Sequence, residues 1–309
     1  MALLFSEPLV RSYRAGRLSC AYWFCWLLVF ATLILPFFLA FSSQGFWLRL
    51  SQYEEQPTVL YRHEVAIFAY SETEGSLVFS SMSYLNNLYF DRLAPIMIQS
   101  MALDTNYDGK PDVYDFNFTI TTAPEKLRNI KVLAFFDYRM RGRVRFDMVT
   151  MAFADVDMPS GGAFVYIDGE LALRQKQAVG SGSQVRTIYN QTFYDQDATS
   201  QTYLPSVLSA YNDRNETTDF ALYHKPIVTS AAGGNTVKVH MKVRVPAHQL
   251  VLYRPGFLEL MKFAWIQYIC IFIPVAFIIY SFARFVYGNQ IIETSVTDAV
   301  KGSRRLATS

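Results

Sequence analysis

Two long runs without charged residues constrain this chain more than any other feature. After Arg17 no charged residue occurs before Arg49, and the apolar centre of that interval is residues 18–41. The second run lies between Lys262 and Arg284. As helices rising 1.5 Å per residue, the runs reach about 36 and about 32 Å, enough to cross a hydrocarbon core of about 30 Å. The sequence therefore predicts two transmembrane helices.

The first run could instead be a cleaved signal peptide, and the second a buried helix of a soluble core. Arg11, Arg14 and Arg17 would then form the basic region of the signal, and Ala40-Phe-Ser42 resembles a cleavage site. A signal peptide, however, has an apolar region of only about 7–15 residues. The second run is likewise longer than is typical of a buried helix. Both lengths favour membrane spans.

The distribution of basic residues predicts the orientation of the helices. Three arginines precede the first helix, whereas one, Arg49, follows it together with Glu54 and Glu55, which favours a cytosolic N-terminus. The predicted order is a cytosolic tail (1–17), a first helix (18–41), an exoplasmic domain (42–256), a second helix with its interfacial lead-in (257–283) and a cytosolic tail (284–309). The lipid bilayer is thus the first predicted partner.

The segment between the helices shows the period-two alternation of half-buried strands. Residues 236–245 place five apolar side chains on one face and basic side chains on the other. The other predicted strands are 58–70, 76–80, 113–120, 131–139, 144–154, 163–167 and 249–253. With turns between them and no long helical pattern, they predict a large all-β exoplasmic domain, a sandwich or a jelly-roll-like fold. Residues 180–235 show the least clear pattern, and within them 180–183 and 190–219 are expected to form long surface loops.

Composition excludes several classes of protein. Apolar residues make up 51% of the chain and the net charge is only +2, so a nucleic-acid partner is not expected. Cys20, Cys25 and Cys270 all lie in or beside the helices, so the exoplasmic domain has no disulfide. No motif typical of a catalytic or zinc site occurs. The sequence predicts a protein that is not an enzyme and has no small-molecule substrate.

One loop has the ligand spacing of a calcium site. Oxygen-bearing side chains recur at Asp104, Asn106, Asp108 and Asp112, and the carbonyl of Lys110 would point inward. A hard cation such as Ca²⁺ needs six or seven oxygens, which a loop of this kind can supply. The alternative is a turn in which the same side chains accept hydrogen bonds from their own backbone. The sequence leaves both open, with calcium structural rather than catalytic.

Three N-x-[ST] sequons predict sites of glycosylation. They begin at Asn117, Asn190 and Asn215, and all three fall in the predicted exoplasmic domain. Chance would supply about two sequons in a chain of this length, so they agree with the topology without establishing it.

Several short stretches resemble one family more specifically than any of these patterns. They read Ser-Tyr-Arg-Ala-Gly (12–16), Gly-Phe-Trp-Leu-Arg (45–49), Tyr-Glu-Glu-Gln-Pro-Thr-Val (53–59), Asp-Gly-Lys (108–110), Arg-Gln-Lys-Gln (174–177), Pro-Gly-Phe (255–257) and Lys-Phe-Ala-Trp-Ile-Gln-Tyr (262–268). They occur in order and flank both helices. The chain resembles the transmembrane protein 231 family of two-pass proteins; the likeness weakens across 180–235 and is lost in the C-terminal tail.

The resemblance implies a non-enzymatic, structural role at the ciliary transition zone. Members of the family belong to the Meckel-syndrome module at the ciliary base, which helps to form a diffusion barrier between ciliary and plasma membranes. The module supports ciliogenesis and affects Hedgehog signalling. The implied partners are other transition-zone membrane proteins and C2-like domain proteins. Neither tail contains a V-x-P ciliary-targeting tripeptide, so delivery would rely on the complex or on the helices.

Two other classes share parts of this plan. Trimeric ligand-gated and sodium channels also have two spans and a large β-rich ectodomain, but their ectodomains are typically rich in disulfides. A membrane-tethered hydrolase would need a nucleophile and a base, which the sequence does not show. Within the spans, Gln267 is the strongly polar residue of the second helix; it is expected to avoid lipid by contacting either a partner protein or the other helix of the same chain.

Overall fold

The structure is a computed structural model that describes residues 11–72, 75–93, 95–122, 126–158, 162–182, 184–187, 189–190, 204–228 and 236–298. The chain divides into two compact units. One contains both ends of the chain, up to Arg49 and from Phe257, and the other runs from Leu50 to Gly256. The first unit holds the two apolar helices and the second holds most of the strands.

The helices and strands of the described residues follow the chain in this order. The α-helices are α1 (Cys20–Gln44), α2 (Ser83–Leu88), α3 (Leu204–Asp213) and α4 (Phe257–Gly288). The strands are β1 (Arg11–Arg14), β2 (Ser51–Glu55), β3 (Thr58–Ser71), β4 (Gly75–Ser80), β5 (Ile96–Leu103), β6 (Val113–Ile120), β7 (Leu127–Met140), β8 (Phe146–Asp157), β9 (Phe164–Gln175), β10 (Val179–Gly180), β11 (Arg186–Thr187), β12 (Glu216–His224), β13 (Ile227–Val228), β14 (Val237–Arg244), β15 (Gln249–Arg254) and β16 (Ser295–Asp298).

The two predicted spans are the long helices α1 and α4, both apolar enough to cross a membrane. Each is longer than the sequence predicts. Helix α1 continues to Gln44, and α4 begins at Phe257 and runs to Gly288. Arg284 does not end α4, because a charged residue beyond the apolar run is compatible with a helix that emerges from the bilayer. The segment predicted as a cytosolic tail therefore begins with helix.

The second unit is a β-sandwich, which confirms the predicted fold class. Its five-stranded sheet has the order β11-β8-β7-β3-β4, and its six-stranded sheet β12-β9-β14-β6-β5, with β13 also paired to β9. Between them lies one core of fully buried side chains, among them Phe116 from one sheet and Phe136 from the other. The Tyr114 hydroxyl also donates to Val59 O at 2.8 Å across the two sheets.

Two short helices cover the outer face of the five-stranded sheet. Leu85 of α2 and Val207 and Tyr211 of α3 are buried in a second cluster with sheet residues such as Leu133 and Phe135. This cluster corrects the prediction that residues 190–219 form a long surface loop. Helix α3 and the first residues of β12 lie in that segment. The isolated sequence there lacks a clear period because the two elements are short and close together.

All eight predicted strands overlap observed strands, but the sequence missed several others. Strands β2, β5 and β12 were not predicted, and β9 continues eight residues beyond the predicted end at 167. A third sheet has the order β10-β15-β2. Along the chain, β2 follows α1 and β15 precedes α4.

Candidate functional surfaces

The two membrane helices contact each other through aromatic and small residues. The Tyr268 hydroxyl donates to Leu33 O at 3.1 Å, and the Tyr287 hydroxyl donates to Ala21 O at 3.2 Å. Ala40 and Ala264 are almost fully buried between the helices. Because the start of α1 contacts the end of α4, the two helices are antiparallel. Small residues allow this close approach, which is how helices pack within lipid.

The opposite face of α4 is exposed and strongly apolar. Its exposed side chains recur at helical spacing: Ile266, Ile269, Ile273, Phe277 and Tyr280. An exposed apolar face on a spanning helix is covered by lipid or by the helices of other proteins. The structure therefore provides a continuous surface for contacts within the membrane.

Gln267 lies near the face of α4 that packs on α1. Ala264, Tyr268 and Ile271 form that face, and Gln267 is one helical turn from Ala264. Its Oε1 atom is buried without a hydrogen-bond partner. Of the two sequence interpretations, this position favours a residue that faces the other helix of its own chain.

A two-stranded ribbon within the helical unit joins residues that precede α1 to residues that follow α4. Strand β1 pairs antiparallel with β16, so that Arg14 is opposite Ser295. The ring of Tyr13 lies 6.3 Å from that of Tyr287 on α4. The ribbon thus lies at the end of the helix pair where α1 begins and α4 ends. The motif 12–16 that resembles the family overlaps this ribbon.

A second family-like motif, at 53–59, anchors the tip of the β7–β8 hairpin. The Tyr53 hydroxyl donates to Glu55 Oε2 at 2.9 Å and accepts a hydrogen bond from Val144 N at 3.0 Å. Glu55 Oε1 accepts a bond from Arg141 N at 2.8 Å. Burial, together with the neighbouring carboxylate, raises the pKa of Tyr53 to about 12. The role of these residues is to hold β2 against the hairpin.

The motif at 174–177 joins the third sheet to the six-stranded sheet. The side-chain amide of Gln175 bonds to the backbone of β15 as a neighbouring strand would. Its Oε1 accepts from Leu252 N at 2.8 Å and its Nε2 donates to Leu252 O at 3.2 Å. In the reverse direction, Gln249 Oε1 accepts from Leu173 N at 2.9 Å. Two glutamine side chains therefore replace backbone pairing between β9 and β15.

The outer face of the six-stranded sheet carries two pairs of polar side chains on neighbouring strands. His240 Nε2 lies 2.6 Å from Asp115 Oδ1, and the His240 ring stacks on Tyr166 with centroids 5.0 Å apart. Arg244 binds Asp168, and this guanidinium lowers the pKa of Asp168. His240 lies on the polar face of its strand, yet its contacts with side chains of the neighbouring strands leave it partly buried.

The loop 104–112 adopts a network of short-range hydrogen bonds. Asp104 Oδ2 accepts from Gly109 N at 2.8 Å, and Asp112 Oδ2 accepts from Thr105 N at 2.9 Å. The side chains of Asn106 and Asp108 likewise accept from backbone N–H groups within the loop. The bond from the Lys110 backbone N–H lowers the pKa of Asp108.

This geometry matches the turn interpretation of the loop, and calcium binding stays a prediction. Asp104 Oδ1 is buried and accepts no hydrogen bond. Among the described residues, no group of three or more His, Cys, Asp or Glu side chains could hold a metal ion.

The three predicted glycan acceptors are exposed on the β unit. Asn117 lies on the outer face of β6, between Gln99 of β5 and His240 of β14. Asn215 lies between α3 and β12, and Asn190 is exposed beside Tyr189. Exposure satisfies the steric need of a bulky sugar; which acceptors are used stays a prediction.

Comparison with known proteins identifies the family. A family model described as Transmembrane protein 231 matches residues 1–296. The human Transmembrane protein 231 is 34% identical over 301 residues, covering 94% of this chain and 93% of the relative. The mouse protein is also 34% identical and covers 96% and 95%. The chain belongs to the transmembrane protein 231 family. The family match includes both spans, the complete β unit and the start of β16.

One solved structure is also similar in part. The cryo-EM structure of a proton-activated chloride channel aligns over 85% of this chain and 99% of that chain, with 8% identity and a TM-score of 0.26. A score this low carries no conclusion about the fold or function of a transmembrane protein 231 family member.

Sequence reasoning found the family's motifs but not what they do. The motifs at 53–59 and 174–177 act through the side chains of Tyr53, Glu55 and Gln175, whose partners are distant in sequence. The sequence nevertheless contains one signal of these contacts, the glycine at position 142. Gly142 follows Arg141 at the hairpin tip, where an added Cβ would lie 2.5 Å from Glu55 Oε2, so a larger residue would have to displace that carboxylate.

Proposed function

We propose that this chain is a non-enzymatic structural component of the ciliary transition-zone complex. In this proposal it contributes to the diffusion barrier between ciliary and plasma membranes, to ciliogenesis and to Hedgehog signalling. The observation that carries the proposal is the family match, which extends over residues 1–296. The proposed partners are other transition-zone membrane proteins and the C2-like domain proteins of the Meckel-syndrome module.

The membrane helices support a role in assembly. The exposed face of α4 from Ile266 to Tyr280 offers large apolar side chains but no charge. Within lipid, such helices associate by shape and close packing rather than by a hydrophobic drive. The proposal assigns partner contacts to this face and to the β unit, and it assigns Gln267 to packing within the chain.

Location tests the family-based function directly. The full chain with a small tag is expressed in ciliated cells that lack their own copy, and its distribution is imaged against a marker of the ciliary base. The proposal expects a ring at that base and restored cilium formation. A correctly folded chain that never concentrates there would overturn the proposal.

Co-purification tests the proposed contact face. Ile273→Ala together with Phe277→Ala should reduce recovery of transition-zone partners several-fold, because packing surface is lost while both side chains are exposed in the chain alone. Gln267→Leu is the matched variant on the other side of α4, and it should leave recovery unchanged. The opposite result, loss only with Gln267→Leu, would place the partner against Gln267 instead.

A further inference from the structure

Strand β5 is an edge of the six-stranded sheet without the usual protection of edges. It spans Ile96–Leu103 and pairs with β6 on one side. On its other side, the described part of the chain supplies no strand. The strand has eight residues, none of them charged and none proline. Natural edge strands are usually protected from pairing with other chains. The protection comes from charged residues, proline, bulges, short length or a covering segment.

The other edges of the two main sheets show those protections. Strand β12 carries the exposed Asp219 and has a register irregularity between Leu222 and His224. Val78 of β4 forms a bridge with Leu93 on the open side of that strand, and β11 has only two residues. Among the described edges of the two main sheets, β5 is therefore the one that lacks these protections.

The backbone of β5 presents its free groups at alternate positions. Pro95 O accepts from Thr121 N, and Leu103 O accepts from Asp112 N. Along an antiparallel strand, successive residues direct their N–H and C=O groups to opposite neighbours. Odd-numbered residues of β5 thus face β6, and residues 96, 98, 100 and 102 direct their backbone groups towards the open edge.

The outward side chains of β5 are symmetric about its centre. Met97 and Met101 are 64% and 55% exposed and lie two positions on either side of Gln99. We propose that two copies of this chain pair antiparallel through β5, about a two-fold axis at Gln99. Residue 96 then lies opposite 102 of the second copy, and residue 98 opposite 100. This register uses every outward N–H and C=O group of the strand.

The same register brings matching side chains together. Met97 lies opposite Met101 of the second copy, so two flexible apolar pairs form on the outer face. Gln99 lies opposite Gln99 of the second copy, and an amide can both donate to and accept from another amide. No like charges meet, since β5 has none. Such self-complementarity is what a two-fold interface requires, whereas an unrelated partner strand would not need the symmetry.

Disulfide trapping tests the axis. At a non-hydrogen-bonded antiparallel pair the Cα atoms are about 4.5 Å apart, within the range that a disulfide spans. The full chain is reconstituted in lipid nanodiscs or vesicles with Cys20→Ser, Cys25→Ser and Cys270→Ser. Asn117→Gln removes the predicted glycan acceptor opposite Gln99. Gln99→Cys should then yield mostly cross-linked dimer on mild oxidation.

A matched control uses the other edge of the same sheet. Asp219→Cys introduces an exposed cysteine on β12 and should give at least five-fold less cross-linked dimer than Gln99→Cys. Equal cross-linking of the two variants would show random collision and would overturn the proposal.

Molar mass in mild detergent provides the second test. The wild-type chain should have the mass of a dimer, and Ser100→Pro should have the mass of a monomer. The melting temperature of Ser100→Pro should change little, because the N–H of Ser100 points away from β6 and proline removes no bond within the sheet. Met101→Lys is a second variant, at an exposed side chain, which opposes pairing by charge. A monomeric wild type, or a dimer that persists in both folded variants, would overturn the proposal.

Discussion

Arg244 holds Asp168 through two parallel hydrogen bonds, from Nε to Oδ1 at 2.8 Å and from Nη2 to Oδ2 at 2.9 Å. The residues belong to the neighbouring strands β14 and β9, and Asp168 is buried. The guanidinium lowers the pKa of Asp168. A carboxylate with a lowered native pKa stabilises the fold above its unfolded pKa, and this contribution is lost as pH falls through the native pKa.

Replacing Arg244 should therefore cost stability in a pH-dependent way. Arg244→Met should lower the free energy of unfolding by about 1 kcal/mol at pH 7, a modest value because the Arg244 side chain is 43% exposed. The difference in unfolding free energy from wild type should be constant above the unfolded pKa of about 3.9. At lower pH this difference should shrink towards zero. Unfolding of the full chain in detergent measures it, with Lys238→Met on the same strand as control. A difference that persists in strong acid would refute the electrostatic cause.

The Tyr53 hydroxyl should matter more than that of an exposed tyrosine. Tyr53→Phe removes the acceptor for Val144 N and the donor to Glu55, so we expect a loss of about 1–2 kcal/mol of unfolding free energy. Tyr70→Phe, at an exposed ring, should change it by less than about 0.5 kcal/mol. Thermal unfolding compares both variants with wild type, and equal small effects would exclude the anchoring role.

Gly142 should resist substitution for a steric reason. In Gly142→Ala the new Cβ would lie 2.5 Å from Glu55 Oε2, and the carboxylate is already held by Arg141 N. Displacing it should cost about 1–3 kcal/mol. Gly182→Ala is the control, because no atom lies within 4 Å of its added Cβ. Equal melting temperatures for the two variants would count against the close contact.

The loop 104–112 is predicted to bind calcium weakly. Extracellular sites have Kd values of about 10⁻⁴–10⁻³ M, so millimolar calcium should stabilise the full chain by about 1 kcal/mol and raise its melting temperature by about 2–4 °C. Asp108→Ala should remove the increase. The same melting temperature in calcium and in chelator would leave only the turn network.

Both termini are predicted to be cytosolic and the sequons exoplasmic. The pairing of β1 with β16 requires residues 11–14 and 295–298 to lie on the same side of the membrane. A tag at Ser309 should be protected from protease in sealed vesicles that enclose cytosol, while glycosidase should lower the apparent mass if Asn117, Asn190 or Asn215 carries a sugar. An exposed tag in those vesicles would reverse the predicted topology.

The sequence by itself determined the two spans, the β-rich class and most of the central strands. These features depend on local patterns: uninterrupted apolar runs, as at 18–41, and period-two alternation, as in β14. Such patterns survive in an isolated segment because they reflect which face of one element is buried. Strand β5 escaped prediction because its exposed outer side chains, Met97 and Met101, are as apolar as its inner ones.

Only the tertiary structure decided which residues meet across the sheets. Glu55 and Arg141 are 86 positions apart and Tyr53 and Val144 are 91 apart, so their hydrogen bonds exist only once β2 is placed beside the β7–β8 hairpin. The open edge at β5 has the same origin. A strand becomes an edge through the order of the whole sheet, which is fixed by packing between distant segments and not by the composition of the strand itself.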